Sequence, residues 1–379
     1  MADNNKIKIL MTADTIGGVW TYATELAKVL APYNIHVHLA TMGAPLSPEQ
    51  QYDVRYTKNI TVHESSYKLE WMENPWEDVE KAGAWLLELN KSIKPDLIHL
   101  NNYVHGSLPW GKPVLVAAHS CVLSWWQAVK NEDAPTEWST YQQKVSEGLQ
   151  AADLVIAPSQ NMMHCAKEYY GPFKNSKVIY NGSDIGTFRK KSKKPIIFAM
   201  GRVWDEAKNL NLLAEIAAEL PWPVYIAGDN QDPSNGELTN LRNVVFLGKL
   251  SKKEITKWLS EASIFVMPSR YEPFGLAMLE AGMSGCALVA GQIDSLAEIW
   301  ENNAVFINND DQQGLKECLI MLIENDSLRT SLANRAEMHS RRYDSRQMAE
   351  NYFREYQKLL FPRKPAKSRI AKTEKVTEL

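Results

Sequence analysis

The chain has 379 residues, of which 45% are hydrophobic and 23% charged, with a formal net charge of −3. At about 150 residues per domain this length predicts two domains, each able to bury a core, and the near-neutral charge excludes a nucleic-acid binder working through bulk electrostatics. Four scattered cysteines, Cys121, Cys165, Cys286 and Cys318, offer neither a zinc spacing nor a disulfide framework, and no run reaches the roughly 20 apolar residues that span a bilayer.

Short apolar runs rich in β-branched residues alternate with amphipathic segments, the pattern of parallel sheets built from β-α units. Strands are predicted over Lys6 to Ala13, His36 to Met42, Asp96 to Asn101, Val114 to His119, Leu154 to Ser159 and Lys177 to Tyr180. Turn residues at Asn181-Gly182-Ser183-Asp184 and the cationic run Arg189 to Lys194 then read as a linker. The pattern restarts with strands over Ile196 to Met200, Val224 to Ala227, Val244 to Leu247, Ile264 to Met267, Ala287 to Ala290 and Ala304 to Ile307. The expected organisation is a first α/β domain over 1–183, a linker over 184–194 and a second doubly wound domain over 195–344. A helix over 345–360 turning back toward the first domain and a disordered basic tail over 361–379 complete it. The Ile7 strand follows the first six residues with no export-type leader, so a cytoplasmic location is expected.

Several positions at predicted strand ends can carry chemistry. Gly17-Gly18 lies between the first strand and a helix over Val19 to Leu30, where a bare backbone can approach an anion. It lacks the G-x-G-x-x-G and P-loop spacings, and alone it is equally a tight turn. His119 ends a strand; a lone histidine there is more often structural than catalytic. Arg202 and Lys208, in Gly201-Arg202-Val203-Trp204-Asp205-Glu206-Ala207-Lys208, follow the first strand of the second half and can neutralise a diphosphate.

The most informative segment is Pro268-Ser269-Arg270-Tyr271-Glu272-Pro273-Phe274-Gly275-Leu276-Ala277-Met278-Leu279-Glu280. It joins a buried-type strand to a helix, so a ligand would meet the free N–H groups at a helix start, beyond the carboxyl end of a parallel strand. Glu272 and Glu280 could each accept two hydroxyl hydrogens, as the vicinal hydroxyls of a sugar or ribose require. From spacing alone, two ordinary surface glutamates are as good a reading.

Glu272-Pro273-Phe274-Gly275-Leu276 with a second glutamate at 280 resembles the retaining GT-B glycosyltransferases of family four. The resemblance runs through Gly17-Gly18, His119, Asn181-Gly182, and Gly201-Arg202 followed by Lys208, in order over nearly the whole chain. It implies a fold of two Rossmann-like domains facing across a cleft, and transfer of a hexose from a nucleotide-sugar, UDP-glucose foremost, with no other cofactor. It places Glu272 on the donor sugar, Glu280 on the ribose, and the amides of Phe274, Gly275 and Leu276 near sugar and phosphate. Gly17, Gly18, Arg202 and Lys208 fall on the diphosphate, and His119 on the sugar near the reacting carbon. Met11 to Trp20 and Ala118 to Trp126 together resemble a bacterial subgroup that builds polysaccharide such as the cyanobacterial heterocyst envelope. One departure is Gly291-Gln292-Ile293-Asp294-Ser295, where many relatives carry a paired glycine.

No two aspartates stand two positions apart, so no Asp-x-Asp metal motif is present and charge neutralisation falls to cations and helix ends. His36 and His38 are read as lying on opposite strand faces and hence as a poor metal pair. Trp125 and Trp126 are candidates for stacking on a carbohydrate acceptor, saccharide or lipid-linked; the acidic residues Glu132, Asp133 and Glu137 nearby disfavour an anionic-lipid anchor, leaving peripheral membrane contact open. A phosphorylase or nucleotide-sugar epimerase of the same fold, and a non-catalytic sugar-binding protein, stay open beside the transferase.

Overall fold

The computed structural model describes residues 6–232 and 236–362, so the expectation of a disordered tail lies almost wholly outside the described residues. The first sheet has seven parallel strands: β1 (Ile7–Asp14), β2 (Ile35–Met42), β3 (Ile60–Glu64), β4 (Leu97–Leu100), β5 (Val114–Ala117), β6 (Leu154–Ala157) and β7 (Ser176–Val178). Their spatial order is β3-β2-β1-β4-β5-β6-β7. The second sheet has six: β8 (Lys194–Met200), β9 (Val224–Ala227), β10 (Val245–Phe246), β11 (Ala262–Met267), β12 (Ala287–Gly291) and β13 (Val305–Ile307), in the order β10-β9-β8-β11-β12-β13. Each sheet is covered by helices on both faces. Central strands are therefore apolar on both sides, as in the fully buried Ala262–Met267 and Ala287–Gly291.

Three strand readings are corrected. The edge strand β3, Ile-Thr-Val-His-Glu, is half polar and only partly buried, which hid it among turn-like sequence. His36 and His38 share one face of β2, their rings 5.0 Å apart, because residues two apart on a strand point the same way. His38 Nδ1 lies 3.1 Å from His63 Nε2 on the neighbouring strand. Lys194, placed in the linker, is the first residue of β8.

The helix Ser345–Leu360 belongs to the core of the first domain: Met348, Ala349, Tyr352 and Tyr356 are buried with Leu26, Val37 and Leu39. The chain therefore crosses between domains twice. The two crossings are tied together, since the Ser183 N–H donates to the Tyr343 carbonyl (3.0 Å) and the Ser345 N–H to the Ser183 carbonyl (3.1 Å).

In both sheets the strand order reverses direction at one place, between β1 and β4 and between β8 and β11. The loops leaving the carboxyl ends of these four strands carry Gly17-Gly18, Asn101, Arg202 and Glu272, in the crevices where open α/β sheets bind ligands.

Candidate active site

Glu272 is held from two sides. Its Oε2 lies 2.6 Å from Lys208 Nζ, and its Oε1 accepts the Gly275 N–H at 3.0 Å, closing the first turn of the helix Leu276–Met283. Gly275 adopts φ +85°, in the left-handed region where a side chain is strained. Ser295 donates to the Glu272 carbonyl at 2.5 Å, so the Gly291–Ser295 loop, the departure noted in the sequence, supports the glutamate's backbone.

Arg202 pairs with Asp205 at 2.6 Å. Burial alone would raise the Asp205 pKa, but Arg202 and Lys208 outweigh it and hold this carboxyl below the ordinary range. Asp205 also accepts the Ala207 N–H (3.0 Å) and, from the first domain, the Trp125 indole N–H (3.4 Å). Gly17 faces the same guanidinium: a Cβ there would stand 3.5 Å from Arg202 Nη1, while a Cβ on Gly18 would meet nothing within 4 Å. Arg202, Lys208, Glu272 and Gly17 thus gather from two domains. Trp125 is occupied in bridging them, with Trp126 edge-on against it (ring centroids 5.8 Å).

His119 is fixed from behind. Its Nε2 lies 2.7 Å from Asn101 Oδ1. The Asn101 amide nitrogen donates to the Thr12 carbonyl at 2.6 Å, which leaves Oδ1 as the acceptor, so His119 carries its proton on Nε2. Burial pushes the His119 pKa down to about 3, and the Tyr22 ring packs on the imidazole at 4.3 Å. A neutral ring with a lone pair on Nδ1 can accept a hydroxyl hydrogen; it cannot act as an acid near neutrality.

Glu280 lies on the buried side of its helix. Burial pushes its pKa up to about 7, against Lys252 and reinforced by Glu25 of the first domain. Lys252 and Glu25 stand 3.8 Å apart across the cleft. Asp14, at the end of β1, is likewise raised to about 7 by burial, opposed by the Ile16 N–H and Arg202. Phe274 is buried against Tyr343, and Leu276 is partly buried at the helix start.

Sequence reading missed Asn101, Asp205 and Tyr271. Asp205 had one signal, an acid between two cations in a short loop; the other two act through partners remote in sequence. A cavity of ≈ 1020 Å³ lies elsewhere, at the amino ends of β5 to β7, lined by Trp110, Lys112, Lys177 and Lys358. Parallel sheets present their helix starts and loops at the opposite end, so the cleft is the chemically equipped site. Among the described residues no group of three His, Cys, Asp or Glu side chains could hold a metal ion, and no helix is long and apolar enough to cross a membrane.

Residues 16–186 match the family described as Glycosyltransferase Family 4, and residues 183–339 match Glycosyl transferases group 1. The two matches meet at the junction between the two sheets. The chain is a glycosyltransferase of the GT-B type.

This glycosyltransferase is 22% identical over 360 residues to N-acetyl-alpha-D-glucosaminyl L-malate synthase of Bacillus anthracis, a match spanning 87% of this chain and 91% of the relative. A shorter match, 28% over 174 residues, covers 44% of this chain and 46% of N,N'-diacetylbacillosaminyl-diphospho-undecaprenol alpha-1,3-N-acetylgalactosaminyltransferase of Campylobacter jejuni. That match spans less than half of the relative. Among solved structures, sucrose-phosphate synthase from Thermosynechococcus elongatus has a TM-score of 0.75 at 18% identity, covering 93% of this glycosyltransferase and 99% of that chain. Anabaena HepE in complex with UDP-glucose gives 0.72 at 20% identity, covering 93% and 100%.

Proposed function

We propose that this glycosyltransferase moves glucose from UDP-glucose, with retention of anomeric configuration, to a saccharide or lipid-linked saccharide in exopolysaccharide or envelope polysaccharide assembly. The observation that carries the reading is the convergence of Lys208, Glu272 and Arg202 with Gly17 of the opposite domain. It puts two cations, each paired with a carboxylate (Arg202 with Asp205, Lys208 with Glu272), and a bare backbone around one point of the cleft. A solved structure of the same fold holding UDP-glucose supports the choice of donor.

In this reading the diphosphate lies between Arg202 and Gly17-Gly18, with Lys208 beside it. Glu272 accepts hydrogens from the donor sugar, Glu280 from the ribose, and the Nδ1 of His119 from a further sugar hydroxyl. As the bond from the reacting carbon to the diphosphate lengthens, negative charge grows on the leaving oxygen, and Arg202 and Lys208 stabilise it more than they did the ground state. The leaving phosphate oxygen takes the proton of the acceptor hydroxyl, which attacks from the same face, so configuration is retained. Neutralisation is assigned to the two cations, without a divalent metal.

A thermal-shift screen of nucleotide-sugars with and without EDTA tests this, because a ligand that binds only the folded form raises the midpoint by mass action. UDP-glucose is expected to give the largest shift, unchanged by EDTA. No shift with any donor would end the proposal, and a shift abolished by EDTA would end its metal-free part.

A further inference from the structure

Glu272 is flanked on both sides by hydrogen bonds that cross the cleft. On one side the Tyr271 hydroxyl accepts the Cys121 N–H at 2.9 Å and lies 3.0 Å from Ser124 Oγ. On the other, Ser159 Oγ donates to the Pro273 carbonyl at 2.7 Å. Cys121 and Ser159 are the residues that cap the helices Val122–Lys130 and Gln160–Tyr170 of the first domain. Cys121 also stands two residues after His119. The donor loop is thus tied to the first domain immediately before and immediately after its glutamate, and one tie leads to the His119 loop.

We propose that Tyr271 and Ser159 are positioning residues which place Glu272 against His119 only when the two domains are closed. The inference rests on the donor-site reading above and adds to it a device of assembly. Ser124 Oγ gives its hydrogen to the Cys121 carbonyl (3.1 Å), so it accepts from the Tyr271 hydroxyl, and the phenol both gives and receives a hydrogen bond across the cleft. Opening the cleft breaks the bonds on both flanks. Within the second domain Glu272 then keeps only Lys208, the Gly275 N–H and the support of Ser295 on its carbonyl. A site finished only on closure holds the carboxylate to its working geometry when substrate is enclosed, and a displacement of about 1 Å can cost on the order of 100-fold in rate.

The test is Tyr271→Phe, which keeps the ring and removes the hydroxyl, with Ser159→Ala as the second variant and Ser159→Thr as its conservative rescue. The expected result for Tyr271→Phe is a kcat lowered roughly tenfold or more, with the Kd for UDP within about twofold of wild type. A purely structural role would lower the melting temperature without this split. Independently of substrate, hydrogen exchange at the Cys121 amide is expected to quicken in Tyr271→Phe. Unchanged kcat, or unchanged exchange at Cys121, would overturn the inference. A wild-type chain that binds no uridine nucleotide would overturn the donor-site reading instead, and the exchange measurement would still decide whether the anchor exists.

Discussion

Lys208 and Glu272 form an ion pair, 2.6 Å between Nζ and Oε2, with both side chains largely buried. Each is therefore the other's placeholder before any ligand arrives. In the proposed donor reading, a diphosphate entering beside Lys208 competes with Glu272 for the ammonium, and a sugar hydroxyl compensates the carboxylate for what it loses. Lys208→Ala removes the cation and leaves a buried carboxylate without its charge partner. Turnover is expected to fall at least about 100-fold, while circular dichroism still reports a folded chain. Near-normal turnover in a folded variant would remove Lys208 from the catalytic assignment.

The Asn101 contact makes a spectroscopic prediction. Nitrogen-15 shifts of the His119 ring should report a neutral Nε2–H tautomer from about pH 5 upward, since the ring pKa is lowered to about 3. Asn101→Ala should release that constraint and cost about 1–3 kcal/mol in stability, because the Nε2–H then lacks its buried partner. A ring found with its proton on Nδ1 in the wild type would contradict the assignment.

Glu280 sets a stability slope with pH. Its folded pKa is about 7, above the ordinary 4.5, so the folded state binds the extra proton between those values. The stability linked to that proton is fully present below about pH 4.5 and is lost as the pH rises through 7, by up to about 1.4 kcal/mol per pH unit. Glu280→Gln mimics the neutral form. Its melting temperature relative to wild type should climb between pH 5 and pH 8, while its affinity for UDP falls. His99 and His119, both lowered to about 3 by burial, act in the opposite sense: their stability is lost as the pH falls below about 6.5 toward 3. A melting-temperature difference that does not change with pH would show that Glu280 is not a proton-binding centre.

Gly275→Ala tests the turn beneath the glutamate. A Cβ there would sit at φ +85° and come within 3.0 Å of Leu296 and Met267 side-chain carbons. The left-handed backbone alone costs a non-glycine residue roughly 1–2 kcal/mol. Denaturant midpoints should show a loss of at least that size, accompanied by weaker donor binding. An unshifted midpoint would mean that the turn relaxes freely.

The fold was legible wherever strands are buried on both faces. Ile264 to Met267 and Ala287 to Ala290 announce themselves by composition, and the restart of the pattern after the Lys-rich segment marks the second sheet. Ile60–Glu64 escaped because an edge strand with one polar face looks like loop. For the site, Glu272, Arg202, Lys208 and Gly17 were legible because each stands beside a local mark: a proline-glycine loop, a cation pair, a double glycine. Tyr271 carries no such mark. Its meaning lies in Cys121, 150 positions away, and only the folded chain joins them. Asn101 was hidden in the same way, as an ordinary polar residue at a strand end until its side-chain amide is seen between the Thr12 carbonyl and His119.

The paired crossings at Ser183 and Asp344–Ser345 constrain how the two halves can move. Two neighbouring covalent connections, stitched to each other by backbone hydrogen bonds, act as one short axle. Sliding the halves past one another, or pulling them straight apart, would tear that stitch; a swing about it would not. Under the proposed closure, such a swing would bring Tyr271 and Ser159 back to the same partners each time, so the two halves would meet in one register.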